Sequence, residues 1–391
     1  MNSYLVGGAV RDMIQNNLAM PHGYCNLSVP DDLDFVIVGA TVDQCNEVFG
    51  STIGQDFPVW LDKDKNQWAL ARTERNIGVG HTAFEVETNN VTIEDDLYRR
   101  DFTFNAMAMP MRGEIGDSSS VSANAFSFVS FVSGSHTPPV ELIDPYGGFS
   151  DLVNGVIRHV SDAFDEDPLR VLRCARFYAK FYNNGFTVHP DTIQKCRDIV
   201  ASGKMSSLSG ERIWAETEKA LKTQDPDRYF CFLKHVGFFN IIEDLHISYL
   251  NMKSARNRVS LGEFETQSDF SMNAFLMTVY DQEEVYKTFH VPAHIVKTAE
   301  AVWDLLVRSR NMVTFMAYME KLQAFGSGSN RVRSYARLIE INRRDIAQLI
   351  RKVLLICEGI KGNKELTGKE YGDSLRLNRL NAVKSNLKDF V

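Results

Sequence analysis

Short apolar runs broken by glycine and polar turns fill the first 110 residues, and a mainly helical periodicity takes over later in the chain. Tyr4-Leu5-Val6 predicts a strand that stops at Gly7-Gly8, with a helix starting over Ala9 to Ile14. Asp34-Phe35-Val36-Ile37-Val38 is apolar, β-branched and ends at Gly39, which predicts a buried strand. Asp43 to Phe49 reads as a short helix. Residues 57–61 and 67–71 read as paired strands around the polar turn Asp62 to Asn66. The stretch 71–81 reads as a charged hairpin. From Asp227 to about Ile356 the pattern is helical and amphipathic, as in Arg228 to Phe238 and Ile295 to Leu306. Leu366 to Phe390 reads as a capped helix. These elements predict an α+β protein, with a small mixed β-sheet in an N-terminal head and an all-helical neck, body and tail.

One stretch breaks the pattern. Residues 112–141 are rich in Ser, Gly and Ala, with Phe126, Phe128 and Phe131 between them. A polar connection this long is uncommon inside a compact domain. The alternation from Phe126 to Phe131 is also compatible with an extra edge hairpin.

Composition narrows the class. At 391 residues the chain has room for two to four domains, and 44% hydrophobic with 24% charged residues is ordinary for a globular protein. No apolar run approaches ~18 residues, so no membrane span is expected. No signal peptide is expected either. Six scattered cysteines without CxxC spacing argue against a zinc site and for a reducing, cytoplasmic setting. The net charge of −7 hides an asymmetry, because residues 331–391 hold 14 Lys and Arg against 7 Asp and Glu. A basic end on an acidic protein suggests a polyanionic partner.

The candidate chemistry starts at Asp32 and Asp34. On a strand, residues two apart share a face, and two carboxylates there favour a hard cation such as Mg²⁺. An acidic turn capping a strand is the plainer alternative. Upstream, Gly7-Gly8 lets backbone N–H groups approach a phosphate, and Arg11 in the first helical turn can add a charge-assisted contact. Further on, Arg100 is a candidate phosphate or ribose contact that Asp101 could orient. Then Asp167 precedes Pro168 as a fitting helix cap, and Arg170, Arg173 and Arg176 form one ridge three residues apart. A carboxylate accepts from the amino group of cytosine or adenine, and a guanidinium donates to the neighbouring ring nitrogen. Uracil and guanine present the opposite pattern. The Asp167/Arg170 pair could therefore accept CTP and ATP and refuse UTP and GTP.

In order, the motifs are Leu5-Val6-Gly7-Gly8-Ala9-Val10-Arg11-Asp12 with Asp32-Leu33-Asp34, Arg99-Arg100-Asp101 before Thr103-Phe104-Asn105-Ala106, Asp144-Pro145 with Asp151-Leu152, Glu166-Asp167-x-x-Arg170, and Glu211-Arg212-Ile213-Trp214. This series resembles the class II tRNA nucleotidyltransferases, the CCA-adding enzymes and their bacterial poly(A) polymerase relatives, over residues 4 to about 222. The resemblance implies Mg²⁺-dependent addition of CCA, from CTP and ATP, to tRNA 3′ ends. Asp32 and Asp34 would hold the metal and act catalytically. Gly8, Arg11 and Arg100 would bind phosphates and ribose, Asp167 and Arg170 would read the base, and Arg173 and Arg176 would support triphosphate or base. The expected division is a catalytic head at 1–148, a helical neck at 149–222, a body at 223–300 and a basic, tRNA-contacting tail at 301–391. Pro145-x-Gly147-Gly148 would be a hinge-like turn between head and neck. No His is followed by Asp, so the phosphohydrolase domain of some relatives is not expected. A poly(A) polymerase, an enzyme adding only part of CCA, and an inactive RNA-binding protein are the alternatives. No membrane or obligate protein partner is implied.

Overall fold

The computed structural model describes residues 1–18, 32–53, 58–76, 84–112, 115–116, 141–238, 289–307, 311–322, 324–325 and 344–387. The expected Phe126–Phe131 alternation and the last residues of the helix expected over Leu366 to Phe390 lie outside them. The chain forms two compact units, Met1–Ser209 with His235–Phe238, and Gly210–Lys234 with Phe239–Val391.

In the first unit, β1 (Asn2–Val6) leads into α1 (Gly8–Leu18), and β2 (Asp34–Val38) is followed by α2 (Val42–Phe49). Thr41 and Gln44 close a capping box at the start of α2. β3 (Val59–Leu61) and β4 (Gln67–Leu70) are the expected pair, then come β5 (Thr73–Asn76), β6 (Phe84–Glu87), α3 (Ile93–Tyr98) and β7 (Ala108–Pro110). The main sheet runs β3-β4-β2-β1-β7. β2 is parallel to β4 and antiparallel to β1, so the sheet is mixed, as expected. Trp60 and Trp68 are completely buried, and the Trp68 ring stacks on Phe35 at 4.2 Å. The Asp62 to Asn66 turn is more than a polar loop. Asp62 accepts hydrogen bonds from the Asp64 and Asn66 backbone N–H groups and from the indole of Trp68.

After β7 come α4 (Gly148–Val153), β8 (Val156–Ile157), α5 (Leu169–Phe181), β9 (Thr187–Val188) and α6 (Pro190–Ala201). The turn before α4 is held by Asp144. Both Asp144 oxygens accept from the first helical N–H groups, Gly148 N at 2.7 Å and Phe149 N at 2.8 Å. Gly147 takes the left-handed conformation at φ 73°, and a Cβ on Gly148 would stand 2.1 Å from the Thr103 carbonyl oxygen. Local chemistry shows a turn in the sequence, but only the fold shows that the Thr103 backbone is packed against it.

The second unit contains α7 (Gly210–Leu221), α8 (Pro226–His235), whose last residue falls in the first unit, α9 (Ala293–Val307), α10 (Met312–Lys321), α11 (Arg344–Cys357) and α12 (Gly368–Asn386). Leu305, Phe315, Met319, Ile350, Val353 and Val383 build one core from the last four of these helices. The expected cap on α12 is only half realised: Thr367 has capping backbone geometry, but its side chain makes no cap hydrogen bond. No described helix is long and apolar enough to cross a membrane.

Candidate active site

The strand that carries the two aspartates is central in the sheet, so its end is fixed by neighbours on both sides. Asp34 pairs with Val6 of β1 on one side and with Gln67 of β4 on the other. Asp32 lies in a bend just before β2, whereas Asp34 is its first residue. Asp32 and Asp34 are exposed and Leu33 between them is buried, so the alternation expected of a strand extends past its formal end. The Asp34 carboxyl is pushed above the ordinary carboxylate range, by burial first and then by the charge of Asp32. Arg100 and Arg173 pull the other way. Two hard oxygen donors on one side of a strand end, each raising the cost of ionising the other, fit a divalent cation that keeps water and substrate oxygens for its remaining ligands. Among the described residues, no group of three or more His, Cys, Asp or Glu side chains stands ready to hold a metal alone.

Next to this end, Gly7 makes the strand-to-helix turn at φ 71°, a conformation that favours glycine. An added Cβ there would meet Arg100 Nη1 at 2.9 Å, so Arg100 lies over the turn. Gly8 opens α1, and a Cβ on it would be 3.4 Å from Arg11 Nη2. Arg11 is placed differently from the sequence expectation. It is only 6% exposed, its Nε and Nη2 both donate to Asp12, and its Nη1 donates to Asn105 Oδ1 at 2.5 Å. Its guanidinium also stands 5.2 Å from the Phe177 ring centroid. Burial acts against the Asp12 carboxylate, yet Arg11 and Lys180 hold its carboxyl below the ordinary value. Arg11 therefore ties α1 to α5 and Asn105 rather than presenting an open guanidinium. A helical amphipathic pattern alone could not reveal this, because Arg11 occupies a core-facing position.

Arg100 is oriented by Asp96, not by Asp101. Arg100 Nη2 donates to Asp96 Oδ2 at 3.1 Å. Asp101 serves α5 instead: its Oδ2 accepts from Arg173 Nε at 2.7 Å and pairs with Nη2 at 2.6 Å. Its Oδ1 accepts from Asn105 Nδ2 and the Phe102 N–H. Burial acts against the Asp101 carboxylate, but the charge of Arg173, the Asn105 hydrogen bond and the charge of Arg170 prevail and hold its pKa at about 2.

The start of α5 follows the sequence expectation with a shift of one residue. Asp167 Oδ1 accepts the Leu169 N–H at 3.0 Å, while Pro168 takes the cap position. Arg170, Arg173 and Arg176 form the partly exposed ridge, and Val171 and Leu172 are completely buried opposite it. Arg170 Nη1 donates to the Ala163 carbonyl at 2.6 Å and Nη2 to the Arg99 carbonyl. Arg176 lies 4.2 Å from the Phe177 ring centroid, and Arg173 lies 5.8 Å from the same ring. Phe177 thus faces three guanidiniums, an arrangement favourable through cation–π attraction. Part of the charge on the ridge is answered inside the protein, by Asp101.

The sequence marks the Gly7-Gly8 turn, Arg11 and Arg100 as phosphate candidates, but it assigns no role to Asp96 or Asn105. Gly7 and Asn105 stood inside the quoted motifs. Asp96 is the third of three successive acids, Glu94-Asp95-Asp96, and nothing in the sequence marks it as the buried one.

Residues 3–158 match the family model described as Poly A polymerase head domain, and residues 185–246 that described as Probable RNA and SrmB- binding site of polymerase A. Over 244 residues, 62% of this chain, the sequence is 40% identical to the Multifunctional CCA protein of Actinobacillus pleuropneumoniae serotype 5b (strain L20). Over 245 residues, it is 42% identical to the protein of that name from Vibrio parahaemolyticus serotype O3:K6 (strain RIMD 2210633). These alignments cover 50% and 51% of the two proteins, so the chain spans about half the length of the curated relatives it matches. The likeness in fold reaches further. An apo tRNA-processing enzyme gives a TM-score of 0.59 at 19% identity, covering 98% of this chain and 93% of that one. A tRNA nucleotidyltransferase complexed with a primer tRNA and an incoming ATP analogue gives 0.58 at 20% identity, covering 90% and 95%. The head model, the RNA-binding model and the sequence identity fall in one order on the motif-bearing part of the chain, which is the part similar to the Poly A polymerase head domain and to the Multifunctional CCA proteins.

Proposed function

We propose that the chain is a template-independent tRNA nucleotidyltransferase that adds CCA, from CTP and ATP, to tRNA 3′ ends and releases pyrophosphate. The observation that carries this reading is the joining of the base-reading helix to the Asp32/Asp34 end of the sheet. Arg173 of that helix is ion-paired to Asp101, and its charge, like that of Arg100, reaches Asp34. Arg170 donates to the carbonyl of Arg99, the residue before Arg100, and Arg100 lies over the Gly7 turn, which supports a base at Asp167 and Arg170 with its phosphates towards Arg100. Solved structures of similar fold are described with CTP, with ATP, and with a primer tRNA.

In this reading, Asp32 and Asp34 would hold Mg²⁺, and the ion when bound would supply Lewis-acid stabilisation of the phosphate and of a deprotonated hydroxyl. Arg100 and the Gly7 and Gly8 backbone bind the phosphates, and Asp167 and Arg170 select the base. Arg173 and Arg176 support the triphosphate or base, and Arg11 holds α1 to α5. Residues 1–148 form the head, 149–222 the neck, 223–300 the body, and 301–391 a tail that contacts the tRNA backbone. The enzyme works in the cytoplasm.

The test is to incubate the protein with tRNA lacking CCA and with each nucleotide separately, then sequence the 3′ ends. Two C residues with CTP alone, and one A after them when ATP is added, are expected. Long adenosine tails with ATP alone would make it a poly(A) polymerase. Asp34→Asn is expected to abolish incorporation while tRNA binding persists, and full activity in that variant would sink the metal assignment.

A further inference from the structure

Asp96 is a carboxylate that none of the steps above uses. It is 0% exposed on α3 and binds three separate groups. Its Oδ1 accepts from Arg99 Nη2 at 2.6 Å, from Arg99 Nε at 3.1 Å and from the Arg72 N–H at 3.3 Å. Its Oδ2 accepts from Arg100 Nη2 at 3.1 Å. Arg99 Nε also donates to the Arg72 carbonyl at 3.0 Å, so Arg72 is gripped through both backbone groups. Arg72 immediately precedes β5 and is therefore the root of the β5–β6 hairpin. The Arg99 carbonyl in turn accepts from Arg170 of the base-reading pair.

The chemistry of this junction favours an anion beside it. Arg100 keeps a buried Nε with no partner in the structure, and its Nη1 makes only a long contact of 3.5 Å with the Asn105 carbonyl. A side chain held at one edge, with donors to spare at the other, suits a phosphate. A helical staple, with Asp96 pairing to positions three and four residues on, would account for Arg99 and Arg100. It would not account for the grip on Arg72.

We propose that Asp96 is a positioning residue for nucleotidyl transfer, fixing Arg100 over the Gly7 turn and locking that placement to the root of the β5–β6 hairpin. This rests on the functional reading given above. Asp96→Asn keeps the shape of the side chain and removes the charge that holds both arginines.

The test is a double-mutant cycle of Asp96→Asn and Arg100→Ala in the full chain. Single-turnover CTP incorporation into tRNA lacking CCA is measured with the dissociation constant for CTP. Asp96→Asn is expected to slow incorporation about tenfold in the wild-type background and less than about twofold when Arg100 is already alanine, the non-additivity expected of residues acting through one another. CTP affinity should show the same coupling. Equal factors in both backgrounds, or an unchanged rate in Asp96→Asn, would overturn the proposal and leave a helix staple. A wild-type chain that incorporates neither nucleotide would overturn the functional reading instead, and the CTP affinities of the four proteins would still decide the coupling.

Discussion

Asp101 is the residue on which the two halves of the site depend most directly. It is 7% exposed, takes Arg173 on one oxygen and Asn105 on the other, and titrates at about 2 rather than at the ordinary 3.8. A carboxyl depressed in the folded state stabilises the protein above its unfolded value, and that contribution fades as the pH falls from about 4 towards 2. Asp101→Asn should therefore cost on the order of 2 kcal/mol near pH 6. The gap to wild type should narrow clearly by pH 3. Urea denaturation at the two pH values, followed by tryptophan fluorescence, measures this. A gap of the same size at both would mean that Asp101 acts through shape and hydrogen bonding alone. Arg11 gives the opposite lesson at the same scale. Its position in the first turn of α1 suggests a phosphate ligand, but its donors are spent on Asp12 and Asn105.

Among the elements, α5 carries the proposed specificity and α4 sits behind a tightly packed turn. Asp167→Ala or Arg170→Ala should raise UTP and GTP incorporation relative to CTP and ATP, because removing one half of a donor–acceptor pair removes both the favourable match and the penalty on a mismatch. The ratio is the readout, since Arg170 also holds the Ala163 and Arg99 carbonyls and its loss will lower every rate. Equal slowing with all four nucleotides would reduce Asp167 to a helix cap. For α4, Gly148→Ala forces a Cβ onto the Thr103 carbonyl, a backbone group that cannot rotate away. The expected loss is roughly 2–3 kcal/mol, against about 1 kcal/mol for Gly147→Ala, where only the left-handed backbone is strained. Denaturation midpoints of the two variants check the order, and equal values would show that the turn before α4 yields easily.

Across the whole molecule, the basic C-terminal end is the feature that points to tRNA, but part of it is structural. Val383 of α12 is completely buried in the core it shares with α9, α10 and α11. Arg376 is ion-paired to Glu320 at 2.6 Å, and Arg379 lies 4.7 Å from the Phe325 ring centroid. Deleting the tail would damage that core, so charge removal is the better probe. Lys361, Lys364, Lys369 and Lys384 are exposed. Changing all four to Gln should weaken tRNA binding and flatten the dependence of log Kd on log salt by roughly one unit for each phosphate no longer neutralised. Nucleotide choice should not change, because Asp167 and Arg170 belong to the first unit. An unchanged salt slope would place the tRNA-binding surface elsewhere.

The sequence alone determined the elements that local chemistry specifies. Gly7-Gly8 had to end β1, the β-branched run from Phe35 to Val38 had to be a buried strand, and Asp167-Pro168 had to start α5. It also determined the order of the motifs, and through them the resemblance to the class II tRNA nucleotidyltransferases. What it left open was the pairing of charges. Asp12, Asp96 and Asp101 stand near Arg11, Arg99, Arg100 and Arg173 in several equally plausible combinations on paper. Sheet register and the rotation of α1, α3 and α5 decide which carboxylate meets which guanidinium. Those are set by packing of the apolar faces, chiefly Phe102, Phe104, Phe177 and Phe181, whose rings lie 5.3 to 6.0 Å apart between the 102–104 turn and α5. The Asp101–Arg173 and Arg11–Asn105 partners are many residues apart in the chain, so no local pattern could have named them.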